Sequence, residues 1–194
     1  MQKRVFNMRR IITKDQEEKK KKRMSIGLVI IMLFSVIGYG FIGKSDGGGT
    51  STKLEYNGFE FIKQDSVWGL DVEGVKFLFK YNPNEVEKIP SKVNSLNTYS
   101  GKPLYIYSKN NEATSEIYIN LNQIAQRIQL ACVEEEECDE NTPFKTCKDN
   151  FIIIKENNSS KIVQEDNCVF IMGPYENLTM MSDAFLFKTL GVEQ

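Results

Sequence analysis

The chain holds no histidine, and that absence removes much of the usual catalytic repertoire. No imidazole base is available to a serine or cysteine nucleophile, and none to ligate zinc. What remains is a serine beside a lysine, a pair of carboxylates, or a metal held on carboxylates. Six carboxylates crowd the seven residues Glu134 to Glu140, EEEECDE. They lack the spacing and central glycine of an EF-hand, so the run reads as a solvated acidic loop. Asn82-Pro83-Asn84-Glu85 reads as a turn for the same reason. Gly47 to Gly49 is not followed by the Lys-Ser/Thr pair of a phosphate-binding loop. No motif calls for a cofactor or a metal.

The cysteines carry the clearest chemistry. The first 131 residues have none; Cys132, Cys138, Cys147 and Cys168 then follow within 37. With no C-x-x-C spacing, a thioredoxin-type redox site is disfavoured, and so is a four-cysteine zinc site. An even set in a chain displayed outside the cytoplasm reads as two disulfides. One connectivity follows from an expected hairpin, in which residues 151–156 pair with 161–165 across the loop Asn157 to Ser160. With Glu156 opposite Lys161, Ile154 faces Val163 and Asp149 faces Cys168. That brings Cys147 near Cys168 and leaves Cys132 to Cys138. The rival joins Cys132 to Cys168 and Cys138 to Cys147, and spacing alone does not choose.

Three short apolar runs, Leu104 to Tyr107, Phe151 to Ile154 and Val169 to Met172, suit strands covered on both faces. If they lie parallel and adjacent, the loops after their C-terminal ends converge, where open α/β sheets bind ligands. The candidate ligand-binding residues are then Ser108, Lys109, Asn110 and Asn111 after the first run, and Gly173, Pro174, Tyr175 and Glu176 after the last. The competing reading is that these residues cap helices and make turns.

The elements that must position them are patterned differently along the chain. Phe59 and Phe61, then Trp68, Leu70 and Val72, then Val75, Phe77, Phe79 and Tyr81 alternate with polar residues, as antiparallel strands do. Asn57-Gly58 and Glu73-Gly74 supply hairpin turns. The lone tryptophan, Trp68, belongs to this sheet face. Ile117, Leu121, Ile124 and Ile128 recur at helical spacing, with Glu112 and Glu116 near the helix start. A second helix is expected over about 177–190, with Leu178, Met181 and Phe185 on one stripe and Gly191 as its stop. The fold class is α/β, or α+β if strands and helices segregate: an antiparallel β-meander followed by β-α-β-β-α.

Charge divides the chain into compartments. Residues 1–23 carry a net +7, residues 24–43 carry no charge, and residues 44–194 carry a net −8, within an overall −1. Met24 to Ile42 is nineteen residues without a charge. As a helix it spans roughly 28 Å, close to the ~30 Å bilayer core. Lys19 to Arg23 abut its start, so the N-terminus is expected in the cytoplasm and the acidic domain outside. An uncleaved signal-anchor is favoured over a cleaved signal peptide, because the leader is long and the apolar run continues past Gly40. The expected organisation is a basic cytoplasmic segment over 1–23, a transmembrane helix over 24–43, a Gly/Ser/Thr linker over 44–53 and an extracytoplasmic domain over 54–194. The acidic domain lacks the basic surface that nucleic acid requires. Asn157, Asn158 and Asn177 open N-x-S/T sequons, at the frequency chance supplies.

The phrases VWGLDVEGVKF, KPLYIYS, RIQLAC, NFIIIKE and NCVFIMGPYENL together resemble uncharacterised archaeal single-pass membrane proteins with a short cysteine-bearing exterior domain. That resemblance implies a location and a domain type, and it brings no activity. The functional expectation is therefore a membrane-anchored domain binding a protein or envelope partner, more a binding module than an enzyme. The alternatives are a carboxylate- or metal-dependent envelope hydrolase and an accessory subunit of a membrane complex.

Overall fold

The computed structural model describes residues 52–134, 136, 138 and 140–193. The basic segment, the expected anchor and the linker up to residue 51 lie outside them. Among the described residues no helix is long and apolar enough to cross a membrane.

The described residues form a mixed α/β domain with an antiparallel meander, a second, mixed sheet and two α-helices. The meander runs β1 (Lys53–Tyr56), β2 (Phe59–Gln64), β3 (Val67–Val72) and β4 (Val75–Phe79), each strand pairing with the next. Its two-residue turns follow the expected chemistry. Asn57 and Gly58 have φ of 49° and 83°, and Glu73 and Gly74 have 54° and 84°. This positive-φ pair matches the right-handed twist of the strands it joins. The third turn, with Asp65 at φ 53°, has no glycine to announce it. Phe61, Leu70 and Phe77 stand side by side across three strands, and Trp68 beside Phe79 extends the same buried face.

The second sheet contains β5 (Pro103–Ser108), β6 (Arg127–Leu130), β7 (Asn150–Glu156), β8 (Lys161–Glu165) and β9 (Cys168–Gly173), in the order β6-β5-β7-β9-β8. The three apolar runs are the parallel neighbours β5, β7 and β9. Helix α1 (Asn111–Leu121) follows β5, and α2 (Leu178–Thr189) ends the domain. α2 stops in a Schellman arrangement: Gly191 N–H donates to Lys188 O, and Val192 N–H donates to Phe187 O.

Two expectations fail here. The helical stripe was extended to Ile128, but α1 ends at Leu121 and Ile128 lies in β6, a parallel edge strand beside β5. The i+7 and i+11 positions carried the pattern past the turn, and a four-residue strand is too short to declare its own period. The hairpin of residues 151–156 with 161–165 also fails. β7 is buried on both faces and lies between β5 and β9, whereas β8 pairs antiparallel with β9. A central strand must have partners on both edges; β8, wet on alternate residues, takes the sheet's rim. Asp166, at φ 49°, and Asn167 make the actual hairpin turn.

Alternation sorts the strands' side chains into two layers. Leu104, Ile106, Ile152, Ile154, Val169 and Ile171 face the helices and join one core with the meander's Phe61, Phe77 and Phe79. α2 is buried nearly all round because it serves both sheets. Its Phe187 ring lies 4.6 Å from Phe79 and 5.7 Å from Phe61, centroid to centroid. Tyr105, Tyr107, Phe151 and Ile153 face the other way, with Ala131, Cys147 and Phe170 packed among them.

The free edge of β4 is closed by side chains. Asn120 of α1 accepts from Leu78 N–H at 2.8 Å and donates to Leu78 O at 2.6 Å. Gln123 donates to Lys76 O, and the Asp183 carboxylate of α2 accepts from Tyr81 N–H at 2.9 Å. Asn120 and Asp183 are fully buried because they supply the bonds that another strand would have made.

Candidate functional site

The C-terminal ends of β5, β7 and β9 do converge, and Asn110 ties the junction together. Its side-chain oxygen caps α1 by accepting from Ala113 N–H at 2.9 Å, while its amide donates to Tyr175 O at 3.1 Å. A cleft of about 420 Å³ opens there, lined by Tyr107, Lys109, Asn110, Glu136, Lys155 and Tyr175 among others. A second of about 420 Å³ adjoins it, with Tyr107 and Lys109 in both walls and Ile106, Leu130 and Ala131 in the second.

Four of the ligand-binding candidates, Ser108, Asn111, Gly173 and Tyr175, separate. Tyr175, half-exposed, lines the first cleft. Ser108 lines the second, but its hydroxyl is engaged with its own loop, accepting from Asn110 N–H and donating to Asn110 O. Asn111 lines a different hollow of about 260 Å³, with Lys80, Glu112, Ser115 and Glu116. Gly173 is buried against Met181 and Ser160, and its carbonyl accepts from Asn157 N–H. Capping and turn formation thus account for much of what these residues do.

The charged centre of the first cleft is Glu136. Its carboxylate meets the Lys109 ammonium at 2.9 Å and the Lys155 ammonium at 3.3 Å. Lys109 first, then Tyr107 and Lys155, hold the Glu136 carboxyl down at about 2. Lys155 also stands 5.6 Å from the centre of the Tyr107 ring. The Tyr107 hydroxyl is buried at this point without a partner in hydrogen-bonding geometry, although Glu136 is near. Burial, then the Glu136 carboxylate, pushes its phenol upward. Chemically, the arrangement offers two ammonium groups and one phenol O–H to a single carboxylate.

Of the two connectivities, the one drawn from the expected hairpin is present. Cys132–Cys138 spans 6.0 Å between Cα atoms and Cys147–Cys168 spans 4.8 Å. The second pair arises by another route than the expected hairpin. Cys168 opens β9 beside Phe151 of the parallel strand β7, and Cys147 lies just ahead of β7. Cys132–Cys138 closes the loop that carries Glu136.

A pair of carboxylates occurs elsewhere. Asp183 is raised well above the usual carboxyl value by burial and by Glu116, and burial raises Glu116 as well. One proton shared between them relieves the repulsion. Asp183 has no exposed surface, and one of its oxygens accepts from Tyr81 N–H. The pair joins α1, α2 and the end of β4, and its Glu116 lines the same hollow as Asn111. Among the described residues no group of three His, Cys, Asp or Glu side chains could hold a metal.

Sequence reasoning missed Tyr107, Lys155 and Glu136. The first two sit at the ends of apolar runs that read as strand interior, and their shared position shows only once the strands are known to be parallel. Glu136 was one carboxylate among six. Comparison with family models, with curated proteins and with solved structures finds no match.

Proposed function

We propose that this is a single-pass membrane protein that displays residues 54–194 outside the cytoplasm as a binding or interaction domain. The observation that supports it most is the two joined cysteine pairs in the domain that follows a basic-flanked, uncharged run. Disulfides persist where thiols are not kept reduced, and the cations ahead of Met24 orient the run the same way. The glycine-rich sequence Gly47 to Gly49 has the composition of a tether, and a tethered domain suits capture of a protein or envelope component. The cleft at the strand ends supplies a place for that capture.

Protease added to intact cells tests the location. Loss of the domain after Lys44 is expected, and its protection overturns the orientation. Affinity capture from envelope extract with the full chain tests the role. A specific partner, competed by excess free protein, is expected; recovery of none counts against a binding module.

A further inference from the structure

We propose that the cleft at the ends of β5 and β7 is a site for the carboxylate of a small organic acid, in which Glu136 stands as an internal competitor. The proposal rests on the reading of this domain as a binding module and names its ligand class.

Three donors converge on one point. Lys109 Nζ and Lys155 Nζ approach the Glu136 carboxylate at 2.9 Å and 3.3 Å from two different elements, one just past β5 and the other on β7. Tyr107, about nine-tenths buried, brings a hydroxyl that lies near the Glu136 carboxylate but outside hydrogen-bonding geometry with it. A buried O–H left unpaired carries a desolvation cost unless something completes it. A carboxylate accepts at two oxygens and up to four lone-pair positions. A ligand carboxylate placed between the ammoniums can therefore also take the phenol proton donor, completing what Glu136 leaves incomplete. The Asn110-capped start of α1 lies in the same wall, adding a favourable field for negative charge.

The surroundings limit the rest of the ligand. The adjoining cleft of about 420 Å³ shares Tyr107 and Lys109 and is walled by Ile106, Leu130 and Ala131. A small acid can seat its charge in the first cleft and its body toward the second. Glu136 is tethered through the Cys132–Cys138 loop, so it competes at a fixed local concentration. A competitor that fills the site most of the time weakens the apparent affinity by the fraction of time it leaves the site open.

Isothermal titration of the full chain in detergent micelles tests this, with succinate, its uncharged counterpart succinamide, and inorganic phosphate as probes. The variants are E136Q, and E136Q combined with K109Q and K155Q. E136Q is expected to bind succinate about tenfold more tightly than the unaltered chain, as removal of an internal competitor predicts. Succinamide should not bind, and the triple variant should lose succinate. Because E136Q is a gain of binding, misfolding cannot imitate it. If the triple variant fails to fold, E136Q/K109Q replaces it, with a clear loss of affinity expected. Equal affinity in E136Q and the unaltered chain, binding of succinamide, or binding that survives lysine removal each overturns the proposal. Preference for phosphate over succinate overturns the carboxylate assignment. Failure here alongside a recovered envelope partner removes only the ligand class. Protection of the domain from protease in intact cells removes the location instead.

Discussion

The two faces of the five-stranded sheet are held in different ways. On one, α1 and α2 cover Leu104, Ile106, Ile152, Ile154, Val169 and Ile171 with a continuous apolar layer that reaches the meander. On the other, the irregular segment between β6 and β7 covers tyrosines and a few aliphatic side chains; Cys147–Cys168 ties its end to β9, and Cys132–Cys138 closes a loop within it. Lysines lie over the tyrosine rings there, Lys145 at 4.2 Å from Tyr105 and Lys155 at 5.6 Å from Tyr107. A helix buries its own backbone polar groups, so it can cover a sheet by apolar contact alone. A loop must satisfy those groups elsewhere, and covalent ties take over part of what burial does across the sheet. The loop-covered face is consequently where polar side chains and clefts collect.

The contrast breaks first at the helix side. Phe187→Ala removes the ring that touches both Phe61 and Phe79 and should cost about 3–5 kcal/mol, read by chemical denaturation. A smaller loss than that of the disulfide variant below would reverse the ranking of the two faces. On the loop side, replacing Cys147 and Cys168 together with serine opens a loop closed across 21 positions and should cost about 3 kcal/mol. Denaturation midpoints with and without reductant check this, since reductant should shift the variant less than the parent.

How far each face was legible in the sequence follows the same division. The meander could be read because Asn57-Gly58 and Glu73-Gly74 punctuate strict alternation, so turn chemistry and period agree. The parallel core could be read from three runs without polar interruption. The position of β8 could not, because Asn157 to Ser160 resembles a hairpin loop, and only competition for β7's second edge shows that β9 takes it. The correct partner of Cys147 was reached through that wrong register: proximity of strand starts sufficed. Ser108 and Tyr175 could be placed by the general rule for strand ends, whereas Glu136 had no signal to separate it from its acidic neighbours.

Two carboxylates sharpen the comparison further, and they respond to pH in opposite directions. Asp183, on the helix side, has a folded-state pKa raised above the unfolded value. The folded state therefore holds its proton more tightly. The resulting stability is full below the unfolded carboxyl value near ~4 and declines as pH rises toward the folded one. Asp183→Asn should flatten this decline, with melting temperatures compared from acid to neutral pH, because the amide still accepts from Tyr81 N–H. Asp183→Ala should cost about 1–3 kcal/mol, since that N–H is left unpaired. A decline with pH that persists in Asp183→Asn would remove the shared proton from the account.

Glu136, on the loop side, is held at about 2 by its lysines. Its contribution is present above ~4 and is lost as pH falls toward the folded value. The pair is solvent-screened, so Lys109→Ala should change stability only slightly at neutral pH. Urea midpoints in low and high salt measure it, and a larger or salt-insensitive loss would place Lys109 in the structural core of the loop.

The position of α2 has a kinetic consequence. This helix is the last element of the domain in sequence and the middle layer in space, with Phe187 against Phe61 and Phe79 from the first sheet. Contacts between residues so far apart along the chain form late, because the intervening loop must close before they gain anything. Until α2 docks, the meander can pair its strands but cannot cover Phe61, Phe77 and Phe79. Such a half-assembled species would bear an aromatic face and an unclosed β4 edge, both adhesive to its own copies. Arrival of the final helix covers the face and, through Asp183, completes the closure of the edge in a single event.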